Sequence, residues 1–297
     1  MKIGYIGLGK MGINMAERLT QAGHEIVAWN RSEDPRREAT QRGVKTVETI
    51  EELVSSLEAP RIIWLMISHT AVDALLETLL PQLEKGDILV DGGNSYFKDT
   101  IRRGALCAEH GVQFIDAGVS GGPGGAKDGA CIMAGGEDDV FKKLEPIFKD
   151  ASAPDAYSHV GNKIGAGHFV KMVHNGIEYG MMQALAEGFA VMKESDFNLD
   201  LTEVTRIYNN KSVIESRLVG WLEKGYKTYG EDLADISGTV AHTGEGEWTV
   251  KTAEELGVSV PIIKGAFDFR VESARKPSYT GKVLSTLRNM FGGHAAK

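Results

Sequence analysis

Cysteine is scarce in this 297-residue chain, basic residues do not predominate, and long apolar runs are missing. The two cysteines, Cys107 and Cys131, are too few for a disulfide framework or a zinc site of their own, so we expect reduced residues in a cytoplasmic protein. Lysine and arginine total 33 against 41 aspartates and glutamates, and the net charge of −8 disfavours general nucleic-acid binding. No apolar run approaches the roughly 18 residues of a membrane span, and glycines interrupt the first residues, so neither a span nor a secretory signal is predicted.

Glycine is abundant, with 36 residues in an otherwise ordinary globular composition. Hydrophobic residues make up 42% and charged residues 25%, which is typical of a folded protein rather than a disordered one. The length suits about two domains of roughly 150 residues each. The negative total does not exclude an anionic small ligand, because such a ligand responds to local charge.

Residues 1–160 alternate short apolar runs with helical patterns, which is typical of a doubly wound, mostly parallel sheet. A helical pattern follows the first run as far as residue 22, and Gly23 is suited to cap its end. Further helices are predicted over 48–57 and 71–83. The predicted strands are Lys2–Ile6, Glu25–Trp29, 61–67, 87–90, 113–117 and 130–134.

Residues 161–297 have apolar residues at helical spacing and no strand alternation. We therefore expect two domains, an α/β domain over 1–160 and an all-α domain over 161–297. The last residues, 291–297, are typical of a frayed terminus. The predicted helices of the second domain are 168–193, 202–209, 212–224, 246–256 and 262–275.

The first apolar run ends in Gly7-Leu8-Gly9-Lys10-Met11-Gly12, and a helical pattern follows at once. In this context Gly7 permits a tight turn, Gly9 lets the backbone approach a pyrophosphate, and Gly12 lets the helix pack close to the strand. The helix N-terminus then offers N–H donors and a positive dipole to the phosphates. The segment predicts a Rossmann-like domain that binds NAD(P), the alternative being a purely structural glycine turn.

The end of the second strand, Asn30-Arg31-Ser32, bears on the choice of dinucleotide. NAD sites usually place Asp or Glu here to hold the ribose 2′-hydroxyl. Asn30 is neutral and does not repel a 2′-phosphate, and Arg31 can stack on adenine and donate to that phosphate. NADP is therefore favoured, and NAD stays an alternative. Arg36 and Arg37 are interpreted as a solvated helix face.

Four polar residues of the long predicted helix fall on one face, at positions i, i+3, i+4 and i+7: Lys171, His174, Asn175 and Glu178. A charged stripe inside an otherwise apolar helix is unfavourable unless it lines a site. A solvated face with a Lys171–Glu178 salt bridge is the alternative, and the spacing alone leaves both open.

The chemistry of hydroxyacid oxidation gives these residues a use. Oxidation of a secondary alcohol needs a base for the hydroxyl proton as hydride leaves, and a partly desolvated lysine such as Lys171 can serve near neutral pH. If a β-keto acid then loses CO₂, an acid such as Glu178 can protonate the enediol at carbon. Ser120-Gly121-Gly122 follows a predicted strand, where exposed N–H groups can bind a carboxylate, although a plain flexible loop is the alternative.

These segments, together with Asp91-Gly92-Gly93-Asn94-Ser95 and the run GAGHFVKMVHNGIEY at 165–179, resemble the 6-phosphogluconate dehydrogenase family in its short form. The resemblance extends from residue 1 to about residue 294. It implies a decarboxylating β-hydroxyacid dehydrogenase of the pentose phosphate pathway. The implied reaction converts 6-phospho-D-gluconate to D-ribulose 5-phosphate and CO₂ with reduction of NADP or NAD. Other β-hydroxyacid dehydrogenases share the lysine but usually have Asn-Asn in place of His174-Asn175.

The resemblance also implies a role for each matching residue. Lys171 corresponds to the general base, Glu178 to the general acid, and Tyr179 to a phosphate contact. Substrate contacts are implied for Asn94, Ser120, Gly121, Gly122, His174, Asn175, Tyr179, Arg270, Arg288 and His294. Cofactor contacts are expected at Gly7, Leu8, Gly9, Lys10, Met11, Gly12, Asn30, Arg31, Ser32, Met66, Ile67, Ser68 and Asn94.

The C-terminal segment 288–294, RNMFGGH, is similar to the family's Arg-x-x-Phe-Gly-x-His. In the family this arginine and histidine reach the substrate phosphate of a neighbouring subunit, which implies an ordered tail and a homo-oligomer, either a dimer or a tetramer. Arg270 matches the family's other phosphate arginine, with a surface helix arginine as an equal alternative. In one departure, Glu247 stands before Trp248 where the long form has lysine, which disfavours a phosphate contact there.

Two other functions stay open. A non-decarboxylating β-hydroxyacid dehydrogenase acting on an unphosphorylated acid is favoured by Glu247 but disfavoured by Glu178 and the C-terminal segment. A catalytically silent dinucleotide sensor would require a damaged site, whereas Lys171 and Glu178 are both present. No metal is expected, because the neighbouring ketone can act as the electron sink and the other histidines lack ligand spacing. Those histidines are His24, His69, His110, His159, His168 and His242.

Overall fold

The computed structural model describes residues 1–241 and 244–296, which divide into two compact units, Met1–Lys171 and Met172–Lys297. The domain boundary predicted between residues 160 and 161 precedes this division and stays a prediction. In the part of the chain that the structure describes, no helix is long and apolar enough to cross a membrane.

The first unit is built on one eight-stranded sheet. Its strands are β1 Lys2–Ile6, β2 Glu25–Trp29, β3 Lys45–Thr46, β4 Ile62–Leu65, β5 Ile88–Asp91, β6 Gln113–Ser120, β7 Ala130–Gly135 and β8 Ser152–Gly161. They lie in the order β3-β2-β1-β4-β5-β6-β7-β8, and every neighbouring pair is parallel except β6 with β7. The order changes direction between β1 and β4, and ligands of such sheets bind at the carboxyl ends of the strands near that point.

Both faces of this sheet are buried, because successive strand residues enter opposite apolar cores. Tyr5 and Val90 belong to one core, whereas their neighbours Ile6 and Leu89 belong to the other. The predicted α/β class with a doubly wound sheet is confirmed. The helices of this unit are α1 Gly12–Gln21, α2 Glu33–Gln41, α3 Ile50–Ser55, α4 His69–Leu79, α5 Phe97–Glu109, α6 Gly122–Asp128 and α7 Asp138–Ala151.

The second unit is helical, as predicted, around a core that includes Met182, Phe189, Leu222 and Leu287. Its first helix, α8, begins within the first unit and continues into the second. The helices are α8 Ala166–Lys193, α9 Leu201–Tyr208, α10 Arg217–Tyr229, α11 Glu245–Glu255, α12 Pro261–Ser273 and α13 Tyr279–Gly292.

The start of one predicted helix in this unit was wrong. The helix expected over 212–224 begins only at Arg217, because the Ser216 hydroxyl caps it by accepting a hydrogen bond from the Val219 N–H. The terminal position of residues 291–297 is typical of fraying, whereas the family resemblance implies an ordered segment. Of these residues, 291–296 are held in place, because the Asn289 side chain donates to the His294 carbonyl at 2.7 Å and the Ser237 N–H donates to the Ala296 carbonyl at 2.8 Å.

Candidate active site

The glycine loop after β1 is built for close approach of backbone to a ligand. Gly7 has a φ of +105°, and a Cβ there would lie 2.3 Å from the Met66 carbonyl oxygen. A Cβ at Gly12 would lie 2.1 Å from the Gly7 carbonyl oxygen, whereas a Cβ at Gly9 would meet nothing within 4 Å. The first and third glycines therefore let strand and helix pack, and the second leaves open space before the N-terminus of α1. This arrangement fits the pyrophosphate of a dinucleotide.

The loop after β2 is held in place by its own polar groups. The Asn30 side chain accepts a hydrogen bond from the Leu8 N–H at 3.0 Å and donates to the Ser32 carbonyl at 3.2 Å. Arg36 donates to the Asn30 carbonyl at 2.6 Å, so the interpretation of Arg36 as a solvated face was wrong. Arg31 is exposed beside this loop, where its guanidinium can reach a ligand.

The loops after β4 and β5 pack against each other at the same edge of the sheet. A Cβ at Gly93 would lie 2.7 Å from the Ile67 carbonyl oxygen. Asp91, fully buried, accepts hydrogen bonds from the Gly93 N–H at 3.0 Å and from the Ser95 hydroxyl at 2.9 Å, and thereby fixes the turn that carries Asn94. The cofactor candidates 66–68 and Asn94 are thus brought to the edge where the glycine loop lies.

The loop after β6 has the backbone freedom that its glycines suggested. Gly121 and Gly122 both have positive φ, at +127° and +63°. A residue with a side chain is strained at such values, so glycine is required for the chain to turn here from β6 into α6. Ser120 is the last residue of β6 and precedes this turn directly.

Helix α8 carries the polar stripe, and its members differ in exposure. Lys171 and Asn175 are buried, at 8% and 9% exposure, which a solvated face would not give. A Cβ at Gly118 of β6 would lie 2.4 Å from the Lys171 Cβ, so only glycine lets the helix approach the strand at this lysine. The Glu178 side chain is 23% exposed and the His174 side chain 38% exposed. Of the stripe, Lys171 and Asn175 are therefore shielded from solvent, whereas Glu178 and His174 are partly open to it.

Within the second unit, His174 links two neighbours on α8. Its Nδ1 lies 2.9 Å from the Asn175 side-chain oxygen and 3.8 Å from the Glu178 carboxylate. The imidazole is therefore hydrogen-bonded to Asn175, and Glu178 lies within ion-pair distance of it.

Two buried guanidiniums lie near Tyr179 in the second unit. Arg270 is 2% exposed, its Cζ is 3.3 Å from the Tyr179 ring centroid, and its Nε has no hydrogen-bond partner among the described residues. Burial lowers the pKa of Arg270 to about 10. Arg288, 7% exposed, also has its pKa lowered by burial, and Tyr179, Glu245 and Glu178 oppose that effect. Buried cations of this kind favour an anionic ligand.

Glu247 is less unfavourable to an anion than the sequence suggested. Its carboxylate lies 2.7 Å from the Lys251 ammonium one helical turn along α11, so a neighbouring positive charge offsets it.

Among the described residues, no group of three His, Cys, Asp or Glu side chains is arranged to hold a metal ion. His242 lies outside the described residues.

Sequence reasoning missed the residues that support the site. Arg103 on α5, only 1% exposed, donates to the Ser95 hydroxyl at 3.2 Å and so completes the support of the Asn94 turn. Asp91 lies in the motif Asp91-Gly92-Gly93-Asn94-Ser95, but the sequence analysis assigned it no role. The signal for it was available, because an aspartate just before Gly-Gly commonly accepts the N–H two residues on.

Family models divide the chain at almost the same place as its compact units. The NAD binding domain of 6-phosphogluconate dehydrogenase matches residues 2–165, and the 6-phosphogluconate dehydrogenase C-terminal domain matches residues 167–294. Together the two matches leave only a few residues of the chain uncovered.

Individual relatives agree with these matches. The NAD(+)-dependent, decarboxylating 6-phosphogluconate dehydrogenase of Haloferax volcanii is 40% identical, over 99% of this chain and 98% of the relative. The NADP(+)-dependent, decarboxylating enzyme of Bacillus subtilis is 41% identical, over 93% of this chain and 62% of the relative. Among solved structures, 6-phosphogluconate dehydrogenase of Plasmodium falciparum, described with NADP+ and with 6-phosphogluconate, has a TM-score of 0.83 at 30% identity. It matches over 98% of this chain and 70% of that one.

Proposed function

Because the chain belongs to the 6-phosphogluconate dehydrogenase family, we propose that it catalyses the oxidative decarboxylation of 6-phospho-D-gluconate to D-ribulose 5-phosphate and CO₂. The observation that carries the phosphorylated substrate is the burial of Arg270 and Arg288 beside Tyr179. A phosphate dianion would pair with these two guanidiniums, whose pKa values burial lowers in spite of the nearby Glu178 and Glu245. The Lys251 ammonium beside Glu247 reduces the objection that this glutamate raises.

The cofactor is NAD(P), with NADP preferred. The open space before Gly9 and the N-terminus of α1 accommodate a pyrophosphate, and neutral Asn30 with exposed Arg31 suits a 2′-phosphate. When bound, the nicotinamide accepts the hydride that leaves the substrate. Met66, Ile67, Ser68 and Asn94 line the neighbouring loops and would complete the binding surface.

The residues of α8 manage the protons of the reaction. Lys171, buried beside β6, removes the proton of the substrate 3-hydroxyl as the hydride departs. The resulting β-keto acid loses CO₂, with Lys171 returning a proton to the keto oxygen. Glu178 then protonates the enediol at the carbon that becomes C1 of ribulose 5-phosphate, while Lys171 takes back the proton of the neighbouring hydroxyl so that the ketone forms. Ser120, Gly121 and Gly122 hold the carboxylate end of the substrate, and His174 and Asn175 orient its hydroxyls.

The test measures reduced nucleotide and released CO₂ together, with 6-phosphogluconate as substrate. We expect equal amounts of both products, and Lys171→Ala is expected to lower turnover by about 100-fold to 10,000-fold with unchanged cofactor affinity. Lys163→Ala, which removes an exposed lysine just before α8, is the matched control and should leave turnover unchanged.

Two results would contradict the proposal. Retained turnover in Lys171→Ala would remove this residue as the base. Reduced nucleotide formed from an unphosphorylated hydroxyacid, without CO₂ and without turnover of 6-phosphogluconate, would instead support a non-decarboxylating β-hydroxyacid dehydrogenase.

We further propose that the chain forms a homo-oligomer, either a dimer or a tetramer. Ile177, Met181 and Ile262 are 52%, 45% and 72% exposed on α8 and α12. Gly180, between the first two, would place a Cβ 3.3 Å from Ile262, so these side chains are neighbours on one surface. Exposed apolar patches of this kind favour association. It stays a prediction that Arg288 and His294 reach the site of a neighbouring subunit. A cytoplasmic location, suggested by the free cysteines Cys107 and Cys131, also stays a prediction.

A further inference from the structure

Helix α8 lacks a capping side chain of its own at its start. Gly165, with a φ of +93°, precedes its first residue, and glycine offers no side-chain acceptor. The Asp116 carboxylate of β6 supplies one instead. Its Oδ1 accepts the Gly165 N–H at 2.6 Å and its Oδ2 accepts the His168 N–H at 2.7 Å. A strand distant in sequence therefore caps the helix that carries Lys171.

Asp116 is fully buried, and a buried carboxylate is unfavourable without strong partners. Burial, with a smaller contribution from Asp91, raises the pKa of Asp116 above its ordinary value, although His168 and the two backbone donors oppose this. The N-terminus of a long helix favours a negative charge as well. Removal of the carboxylate would leave two donors at this buried helix start without their acceptor, and the first turn would lose its anchor.

Two further contacts fix the same turn of α8. The imidazole of His168, 1% exposed, shares a hydrogen bond of 2.7 Å with the Thr100 hydroxyl of α5. A Cβ at Gly167 would lie 2.3 Å from the Met133 carbonyl of β7, so the helix backbone lies directly against the sheet. The turn can therefore neither slide nor rotate without breaking a specific contact.

One strand links these contacts to the site. Asp116, Gly118 and Ser120 are alternate residues of β6 and project from the same face of the strand. The first caps α8, the second contacts Lys171, and the third begins the loop assigned to the substrate carboxylate. Strand β6 is thus the common reference for the base and for that loop.

We propose that Asp116 is the positioning residue for Lys171, which holds the first turns of α8 in register with β6 so that the base is correctly aimed. This inference rests on the proposed role of Lys171. Asp116 touches neither substrate nor cofactor in this scheme and acts only through the helix.

The first test compares Asp116→Ala and Asp116→Asn with Asp87→Asn. Asp87 is a matched control, because it is a buried aspartate directly before β5, away from the carboxyl ends of the strands. It also accepts two backbone N–H groups, those of Arg61 and Glu84, beside its ion pair with Arg61. We expect Asp116→Ala to lower kcat by about 100-fold, since a displacement of about 1 Å can have that effect, with cofactor affinity unchanged. Asp116→Asn keeps one acceptor, so its kcat should lie between those of Asp116→Ala and the wild type. Asp87→Asn should keep the wild-type kcat.

The second test is hydrogen exchange, which does not depend on turnover. In Asp116→Ala, backbone amides of 165–172 should exchange faster, whereas those of the glycine loop 7–12 should not change. Unchanged exchange in 165–172 would overturn the inference, and so would a wild-type kcat. If exchange is faster in Asp116→Ala but the wild-type protein itself does not turn over 6-phosphogluconate, the cap is established and the proposed function is contradicted.

Discussion

At the residue scale, the choice between NADP and NAD rests on two neighbours. Asn30 and Arg31 lie at the end of β2, and Asn30 is fixed by its bonds to Leu8 and Ser32. Arg31→Ala should lower kcat/KM for NADP by about 10-fold to 100-fold, because a charged hydrogen bond to the 2′-phosphate is lost, and should lower kcat/KM for NAD much less, because NAD loses only the stacking on adenine. Steady-state kinetics with both cofactors measures this.

A matched control and a converse variant sharpen that measurement. Arg37→Ala removes an exposed arginine of α2 that pairs with Asp34 at 2.6 Å, and both cofactors should be unaffected. Asn30→Asp should favour NAD, because a carboxylate accepts from the ribose hydroxyl and repels the phosphate. An equal loss for both cofactors in Arg31→Ala would exclude Arg31 as the discriminating residue.

At the element scale, an ion pair between Asp73 of α4 and Arg103 of α5 joins the two helices. Arg103 is the residue that supports the Asn94 turn. Asp73 accepts two hydrogen bonds from the buried Arg103 guanidinium, at 2.9 and 3.0 Å, and two from the exposed Arg102. Together, and mainly through Arg103, these bonds lower the pKa of Asp73 to about 2. A carboxyl pKa lowered by folding stabilises the protein above its unfolded value of about 3.9 and ceases to do so as the pH falls through about 2.

Asp73→Asn should therefore lower the free energy of unfolding at pH 7 by about 1 kcal/mol, a modest figure because solvent screens the 46% exposed Asp73 side chain. The difference from wild type should shrink as the pH falls from about 4 to about 2. Denaturant unfolding across this range measures it. Asp99→Asn, which breaks only the exposed 3.6 Å pair with Arg102, should have little effect at any pH. A pH-independent difference would contradict the ion-pair explanation.

Strands and helices could be predicted where their own residues show a clear hydrophobic pattern. The apolar runs predicted six strands of the sheet, because buried parallel strands are continuously apolar. Strand β8, exposed at the sheet edge, and the two-residue β3 have no such run. Helix α13 was missed although Val283, Leu284 and Leu287 are buried at helical spacing. The start of α10 depended on the cap at Ser216, which competing serines nearby obscured.

The site divides in the same way. Residues with their own chemistry, such as Lys171 and the glycines of the first loop, were recognisable from type and spacing. Asp116 and Arg103 were not, because their roles come from elements far apart in sequence. Arg288 could be selected only through the family resemblance, since nothing in its local pattern distinguishes it from a surface arginine.

At the scale of the whole molecule, the open question is which chain each C-terminal segment serves. In a single chain, Tyr179 and Glu178 already affect the pKa of Arg288, and the His294 carbonyl accepts a hydrogen bond from the Asn289 side chain of α13. Both interactions favour an arrangement in which the C-terminal segment contributes to the site of its own chain. The family resemblance instead implies that the segment completes a neighbour's site.

Subunit complementation decides between these arrangements. Lys171→Ala and His294→Ala chains, each inactive or nearly so alone, are co-expressed with different tags, and the hybrid is purified through both. If the tail serves a neighbour, one site of a hybrid dimer combines an intact Lys171 with an intact His294, so turnover should return to about half of the wild-type value. If the tail serves its own chain, every site carries a defect and no activity returns. Sedimentation of the hybrid is the control for assembly, and a monomeric mass would contradict the proposed homo-oligomer itself.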